Sequence, residues 1–184
     1  MPKILLHACC AVCASYPFLQ LQKAGYEVIL YFYNPNIYPN EEYQRRLNEL
    51  KNLSKKYNAR LIIEETGYDY WQNLIKGKEN EPEKGTRCDI CFKERLTKAQ
   101  RKAFETGCDF YTTTLTVSPH KNSKQIFEAA KAVNKEMTDL DSKSVPFLEI
   151  DFKKQDGYKK TSKLADEYGF YRQKYCGCEY SIRN

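Results

Sequence analysis

Apolar residues in this chain fall into short continuous runs, and longer stretches with apolar residues at helical spacing lie between them. Runs at 3–7, 27–33, 60–64, 108–113 and 147–151 predict five strands, because strands buried on both faces read as unbroken apolar segments. The intervening stretches predict helices at 16–25, from Asn40 onward, and at 68–75, 89–107, 122–134 and 158–168. Gly25 and Gly169 stand where helix C-termini favour glycine. Asn40 is placed as an N-cap with Glu41 and Glu42 in the first turn; Tyr43, Leu47, Leu50, Leu53 and Tyr57 form the stripe that follows. Trp71 anchors the short helix. Asn34-Pro35-Asn36 carries turn chemistry. The polar segment 76–87 reads as a mobile surface loop, 114–121 as a second loop and 137–145 as irregular. Five alternations of strand and helix predict an α/β fold, an open and mostly parallel sheet with helices on both faces. No repeat or linker interrupts it, so 1–184 is expected to be a single domain.

The thiols change this picture from a scaffold to a site. His7-Ala8-Cys9-Cys10-Ala11-Val12-Cys13 follows the first strand, and the turn from first strand to first helix is where an open α/β sheet places its ligand. Seven of the eight cysteines form three groups: Cys9, Cys10 and Cys13; Cys88 and Cys91; Cys176 and Cys178. Cys108 opens an apolar strand without a thiol neighbour and reads as a small core residue. Cys88-Asp89-Ile90-Cys91 puts two thiols at the start of a helix, whose N-terminus lowers thiol pKa values. If the sheet is parallel, these pairs meet at one edge and supply enough thiolates for a zinc ion or a [4Fe–4S] cluster. Zinc spacing predicts ligands Cys10, Cys13, Cys88 and Cys91; a cluster can instead take Cys9, Cys10, Cys88 and Cys91, leaving Cys13 behind the helix. Cys176-Gly177-Cys178 suits a strained, labile disulfide or two ligands of a second metal. Asp89 is a candidate ligand or proton donor, with helix capping as its plainer role. His7 reads as a hydrogen-bonded packing residue.

Composition then decides how these thiols are read. No apolar run approaches the roughly 20 residues of a membrane span, and the first residues lack a signal-peptide pattern. A cytoplasmic protein is expected, with no membrane partner. In that reducing compartment the thiols point to metal or redox chemistry rather than a disulfide framework. The net charge is +6; residues 1–91 hold 12 Lys/Arg against 11 Asp/Glu, and 92–184 hold 18 against 13. This mild excess, including Lys93, Lys98, Arg101, Lys102, Lys121 and Lys124, permits an RNA partner. Thr112 to Asn122, with hydroxyls, Lys121 and a following helix, outlines an anion site. Tyr171-Arg172-Gln173 with Tyr175 is a candidate for base stacking. Three functions compete: an iron–sulfur reductase, a structural four-cysteine zinc protein that binds RNA, and a metal-free thiol–disulfide oxidoreductase.

The Cys9/Cys10/Cys13 motif, Tyr33-Asn34-Pro35-Asn36-Ile37, Cys88-Asp89-Ile90-Cys91, Thr112 to Lys121, and Tyr171-Arg172-Gln173-Lys174-Tyr175-Cys176-Gly177-Cys178 together resemble the non-cobalamin epoxyqueuosine reductase family. The resemblance runs in order over nearly the whole chain; Val12 replaces an expected proline and touches no ligand. It implies a fold related to PP-loop nucleotide-binding α/β proteins, with thiols in place of the phosphate loop. It implies reduction of epoxyqueuosine to queuosine at the wobble position of tRNA, the last step of queuosine biosynthesis. Cys9, Cys10, Cys88 and Cys91 would hold a [4Fe–4S] cluster. Cys176 and Cys178 would be the redox-active pair or help bind an additional metal, an additional iron being the candidate. The loop 76–91 and the tail 170–184 would close over the active site. The chemistry requires an electron donor, since an epoxide becomes an alkene only by gaining two electrons and two protons; Asp89 or a nearby tyrosine is the suggested proton source.

Overall fold

The computed structural model describes residues 1–141 and 144–182. Strands β1 (Lys3–His7), β2 (Glu27–Phe32), β3 (Arg60–Ile63) and β4 (Phe110–Thr113) pair in parallel in the order β3-β2-β1-β4. Parallel neighbours need crossover connections. Helices supply them: α1 (Ala11–Lys23), α2 (Asn40–Lys56), α3 (Tyr68–Leu74) and α4 (Thr86–Glu105), with α5 (Ser123–Asp141) and α6 (Gly157–Tyr168) following β4.

Alternate residues of each strand feed two cores, which is why the strands are apolar throughout. Ile4, Leu6, Val28, Leu30 and Phe32 pack with Phe18 and Leu21 of α1 and Leu47, Leu50 and Leu53 of α2. Leu5, Ile29 and Tyr31 face the other way, onto Phe92 and Leu96 of α4 and Ile126, Ala130 and Val133 of α5. Each such side chain contributes about 1.5–3 kcal/mol by leaving water, so neither helical layer is dispensable. Cys108 is buried in the second core, as expected of a packing residue.

Several element boundaries differ from expectation, each for a local reason. Helix α1 begins at Ala11 rather than 16, because the Cys10 sulfur caps it by accepting the Cys13 amide at 3.3 Å. Asn40 is the first helical residue of α2, behind Pro39, and makes no cap. Helix α4 begins at Thr86, so Cys88 and Cys91 both lie within its first two turns. Helix α5 continues through the 137–141 part of the stretch expected to be irregular; 142 and 143 lie outside the described residues. The expected fifth strand is reduced to one parallel bridge between Tyr111 and Phe147. The chain bends into a 3₁₀ turn (Thr114–Val117) directly after β4, so the backbone ladder cannot continue. Threonine hydroxyls take over: Thr112 and Thr116 donate to the carbonyls of Leu148 and Ile150, each at 2.9 Å. The loop read as mobile is tied down by buried Arg87, which donates to the carbonyl oxygens of Lys78, Glu79 and Glu81.

From β1 the chain winds outward through β2 to β3, then returns to place β4 on the other side of β1. The strand order therefore reverses between β1 and β4, and a crevice opens beyond their C-terminal ends, the usual ligand site of such sheets. Helix α6 forms one wall. Its start is set by Gly157, where a Cβ would lie 1.7 Å from the Phe152 carbonyl oxygen. Gly157→Ala is expected to lower stability by about 2–4 kcal/mol, read as a lower urea midpoint at unchanged slope.

Candidate metal centre and active-site cavity

The crevice is a cavity of about 340 Å³, and all three thiol groups reach it. Cys9 and Cys13 line it from the β1–α1 turn, Cys88 and Cys91 from α4, and Cys176 and Cys178 from the tail. The Cys9, Cys10 and Cys13 sulfurs lie within 4.8 Å of one another, a group able to hold a metal ion. Cys13 is thus a full member of the first thiol group rather than hidden behind the helix. Cys10 is buried beside the cavity, its sulfur 3.9 Å from that of Cys9.

Ionisation within the triad is uneven. Hydrogen bonds from Cys10 and Cys13, helped by Arg95 and Lys121 and opposed by burial, hold Cys9 well below the usual thiol pKa. Cys13, donating to its neighbours and buried, is held well above it. Cys10 gains from Cys13 but gives to Cys9 and is buried, and is pushed up to about 12. On α4, burial raises Cys88 and pushes Cys91 up to about 12, with Arg95 pulling Cys91 the other way. The helix N-terminus does not lower these two thiols as expected; a terminus contributes about 0.3–1 kcal/mol, and burial outweighs it.

Arg95 joins the parts of the site. It is 1% exposed, on the face of α4 that carries Cys88 and Cys91. Its guanidinium donates to the Cys91 sulfur at 3.8 Å, to His7 Nε2 at 3.3 Å and to the Asn34 side-chain oxygen. Asn34 in turn donates to the Ala8 carbonyl at 3.0 Å. His7 is the packing residue expected: its ring nitrogens lie 2.8 Å from Thr113 Oγ1 and 3.1 Å from the Tyr33 carbonyl. Burial, then Arg95, push its pKa down to about 3, so it is neutral. Among the described residues Arg95 has no carboxylate partner. A buried cation without a carboxylate partner is costly by several kcal/mol, more than hydrogen bonds of about 1–3 kcal/mol each readily offset.

The tail is docked by a second buried arginine. Arg46 pairs with Glu42 at 2.7 Å and donates to the carbonyls of Tyr175 and Cys176, both at 3.1 Å. Tyr171 donates to Glu42 at 3.0 Å beneath Arg45, and Tyr175 donates to the Tyr38 carbonyl. The hydroxyls of these two rings are thereby used in docking the tail. Gln173 Nε2 reaches the Cys10 sulfur at 3.0 Å and that of Cys13 at 3.7 Å. Its Oε1, Trp71 Nε1 and Thr161 Oγ1 are buried without hydrogen-bond partners among the described residues, all three on residues lining the cavity.

Asp89 does not line the cavity; it is exposed and accepts from Gln125 at 2.6 Å. Thr112, Thr113 and Thr116 of the expected anion site are occupied in structure, while Thr114, Ser118, His120, Lys121 and Asn122 line the cavity. The Lys121 ammonium has no hydrogen-bond or ion-pair partner among the described residues. Burial works against its charge, but the neighbouring sulfurs of Cys176, Cys9 and Cys13 outweigh burial and raise its pKa. Sequence reasoning passed over Arg95, Arg46, Arg87 and the cavity role of Trp71. One signal was legible: Cys88, Cys91 and Arg95 share a helix face at i, i+3 and i+7.

A family model described as epoxyqueuosine reductase QueH matches residues 4–184. The chain belongs to the epoxyqueuosine reductase QueH family. Epoxyqueuosine reductase QueH of Streptococcus pyogenes serotype M1 is 38% identical over 99% of this chain and 71% of its own length. The Acinetobacter baylyi protein of that name is 35% identical over 99% and 81%, and that of Dehalococcoides mccartyi 35% over 98% and 92%. These relatives are named as reductases. The fold is also that of the U34-tRNA thiolase NcsA from Methanococcus maripaludis, solved with its [4Fe–4S] cluster (TM-score 0.59, 15% identity). This chain is covered over 99% there but spans only 62% of the thiolase chain.

Arg46 carries the docking of the tail, and with it the third thiol group at the cavity. Arg46→Met leaves Glu42 buried without its cation and is expected to cost about 3 kcal/mol. Trypsin should then cut at Arg172 and Lys174 faster than in the wild type.

Proposed function

We propose that this chain reduces epoxyqueuosine in tRNA to queuosine, using a [4Fe–4S] cluster held at the thiol cavity. The observation that carries the reading is Arg95, a buried cation whose counter-charge no described carboxylate supplies, set against the thiols that line the cavity. A metal–thiolate cluster is net negative and supplies that charge. The donor set fits: thiolates select iron–sulfur clusters and zinc. Cys9, Cys10, Cys88 and Cys91 are the proposed ligands, with Cys13 close enough to replace one. Cys176 and Cys178 are the proposed redox pair, or ligands of an additional iron.

Conversion of an epoxide to an alkene consumes two electrons and two protons, and the oxygen leaves as water. When bound, the cluster passes electrons from an external donor one at a time. The chain's own residues do the rest. The Lys121 ammonium, unpartnered in the cavity, donates to the epoxide oxygen as charge grows there. Arg172 and Lys174 at the cavity rim suit the phosphates of an RNA strand. Gln173 Oε1 and Trp71 Nε1 offer unmet hydrogen bonds to the substrate. Asp89, bonded to Gln125 outside the cavity, is replaced by Lys121 as the proposed proton donor.

A second reading draws on the compactness of the triad. The 3.9 Å between the Cys9 and Cys10 sulfurs is near the edge of a tetrahedron with metal–sulfur bonds of about 2.3 Å. A structural zinc site of four cysteines in an RNA-binding protein has the same need for thiols, but leaves Cys176, Cys178 and Lys121 without a task.

Protein purified without oxygen is expected to carry about four irons or more per chain, with a brown colour bleached by dithionite. One zinc and no iron, even after anaerobic reconstitution, would sink the reductase reading. Cys88→Ser or Cys91→Ser should lose both iron and turnover of epoxyqueuosine tRNA, while Cys108→Ser keeps both. Lys121→Met is expected to slow turnover about 100-fold at unchanged iron content, and Asp89→Asn to leave it nearly unchanged.

A further inference from the structure

Beside the thiol cavity lies a second cleft of about 280 Å³, between the segment after β2 and the segment joining β3 to α3. Its chemistry is unlike that of the first. Among the described residues no lysine or arginine lines it, and Glu65 does, so a phosphate is disfavoured there. What it offers is an aromatic surface and unpaired hydrogen-bonding groups. Tyr38 is 41% exposed. Its ring is braced by that of Tyr68, with centroids 5.0 Å apart, and Tyr68 is itself held by donating to Glu179 at 2.6 Å. A ring fixed from one side and open on the other is a stacking platform for a base.

The polar groups fit the edge of the same ligand. Among the described residues the Tyr43 hydroxyl is buried without a hydrogen-bond partner, and the exposed side chains of Asn40 and Gln44 stand at the rim without one. Buried polar groups are otherwise almost always paired. A hydroxyl, two amides and a carboxylate around an aromatic ring match the mixed donors and acceptors of a nucleobase.

The cleft also shares a wall with the active site. The Tyr38 amide donates to the Gly177 carbonyl at 2.8 Å, and Gly177 separates Cys176 from Cys178. The chain at Tyr38 thus borders the cleft and contacts the segment of the third thiol group. We propose that the cleft binds an unpaired nucleobase, the one adjoining in the RNA strand the nucleotide whose modified base enters the thiol cavity. This rests on the reading above that the substrate is carried in tRNA. It makes the cleft a selectivity site, engaged by an anticodon loop and not by a free nucleoside.

The test is binding of labelled anticodon stem–loop RNA to metal-loaded, full-length protein, followed by fluorescence anisotropy. The RNAs are intact, or abasic at one or the other nucleotide flanking the wobble position. Removing one of the two flanking bases should weaken wild-type binding about tenfold. Tyr38→Ala should weaken intact RNA by a similar factor and leave the abasic RNA unaffected; Gln44→Ala, at an exposed position without partners, should show the same pattern more weakly. Indifference of the wild type to both flanking bases would overturn the cleft assignment and leave the tRNA reading standing. So would equal weakening of intact and abasic RNA by both variants. Failure of the wild type to bind any stem–loop would instead overturn the tRNA reading, and the cleft assignment with it.

Discussion

Arg95 is a guanidinium sealed in the protein with its hydrogen bonds spent on a neutral histidine, an amide oxygen and a thiol. Hydrogen bonds alone do not balance the loss of water around a full charge. The arrangement is sensible only if negative charge accumulates beside it, and thiols are the groups at hand. The same side chain spans α4, the end of β1 and the turn after β2. It thereby sets the distance between the Cys88/Cys91 pair and the turn that carries Cys9 and Cys10. Electrostatics and geometry are thus satisfied by one residue, and the neutrality of His7 owes to burial first and to this guanidinium second.

The scaffold makes that meeting possible. An all-parallel sheet brings the C-terminal ends of β1 and β4 to one edge, and both cores pin the helices that leave them. The tail reaches the same edge by another route. It lies outside the sheet and is held by Arg46, Glu42 and two tyrosines through polar contacts. Cys176 and Cys178 therefore sit on the part of the site least constrained by backbone pairing. That suits the redox role proposed for them.

On the proposed reading, the two depressions divide the recognition of one polymer between them. The thiol cavity gathers Arg87, Arg95, Lys121 and Arg172, and accepts negative charge. The neighbouring cleft has no cation and presents tyrosine and amide groups. A nucleic acid alternates charged backbone and neutral aromatic base, so adjacent sites of opposite character are what its binding calls for.

Much of this was legible along the chain. Continuous apolar runs reported strands buried on both faces, and thiols after the first strand reported where a ligand would sit. The spacing of Cys88 and Cys91, and the isolation of Cys108, also survived folding. Periodicity and spacing are local, so they can be read without knowing what lies opposite. Other features were decided only in three dimensions. A thiol capping α1, a fifth strand dissolved into threonine hydrogen bonds, and thiols raised rather than lowered by their surroundings all depend on how the chain packs around them. Arg95 and Arg46 look like ordinary surface charges in sequence; burial by distant segments turns them into the groups that hold the site. Asp89 sits between two cysteines in the sequence and yet bonds to Gln125, because a helix turns successive residues through about 100° and sends neighbours to different faces.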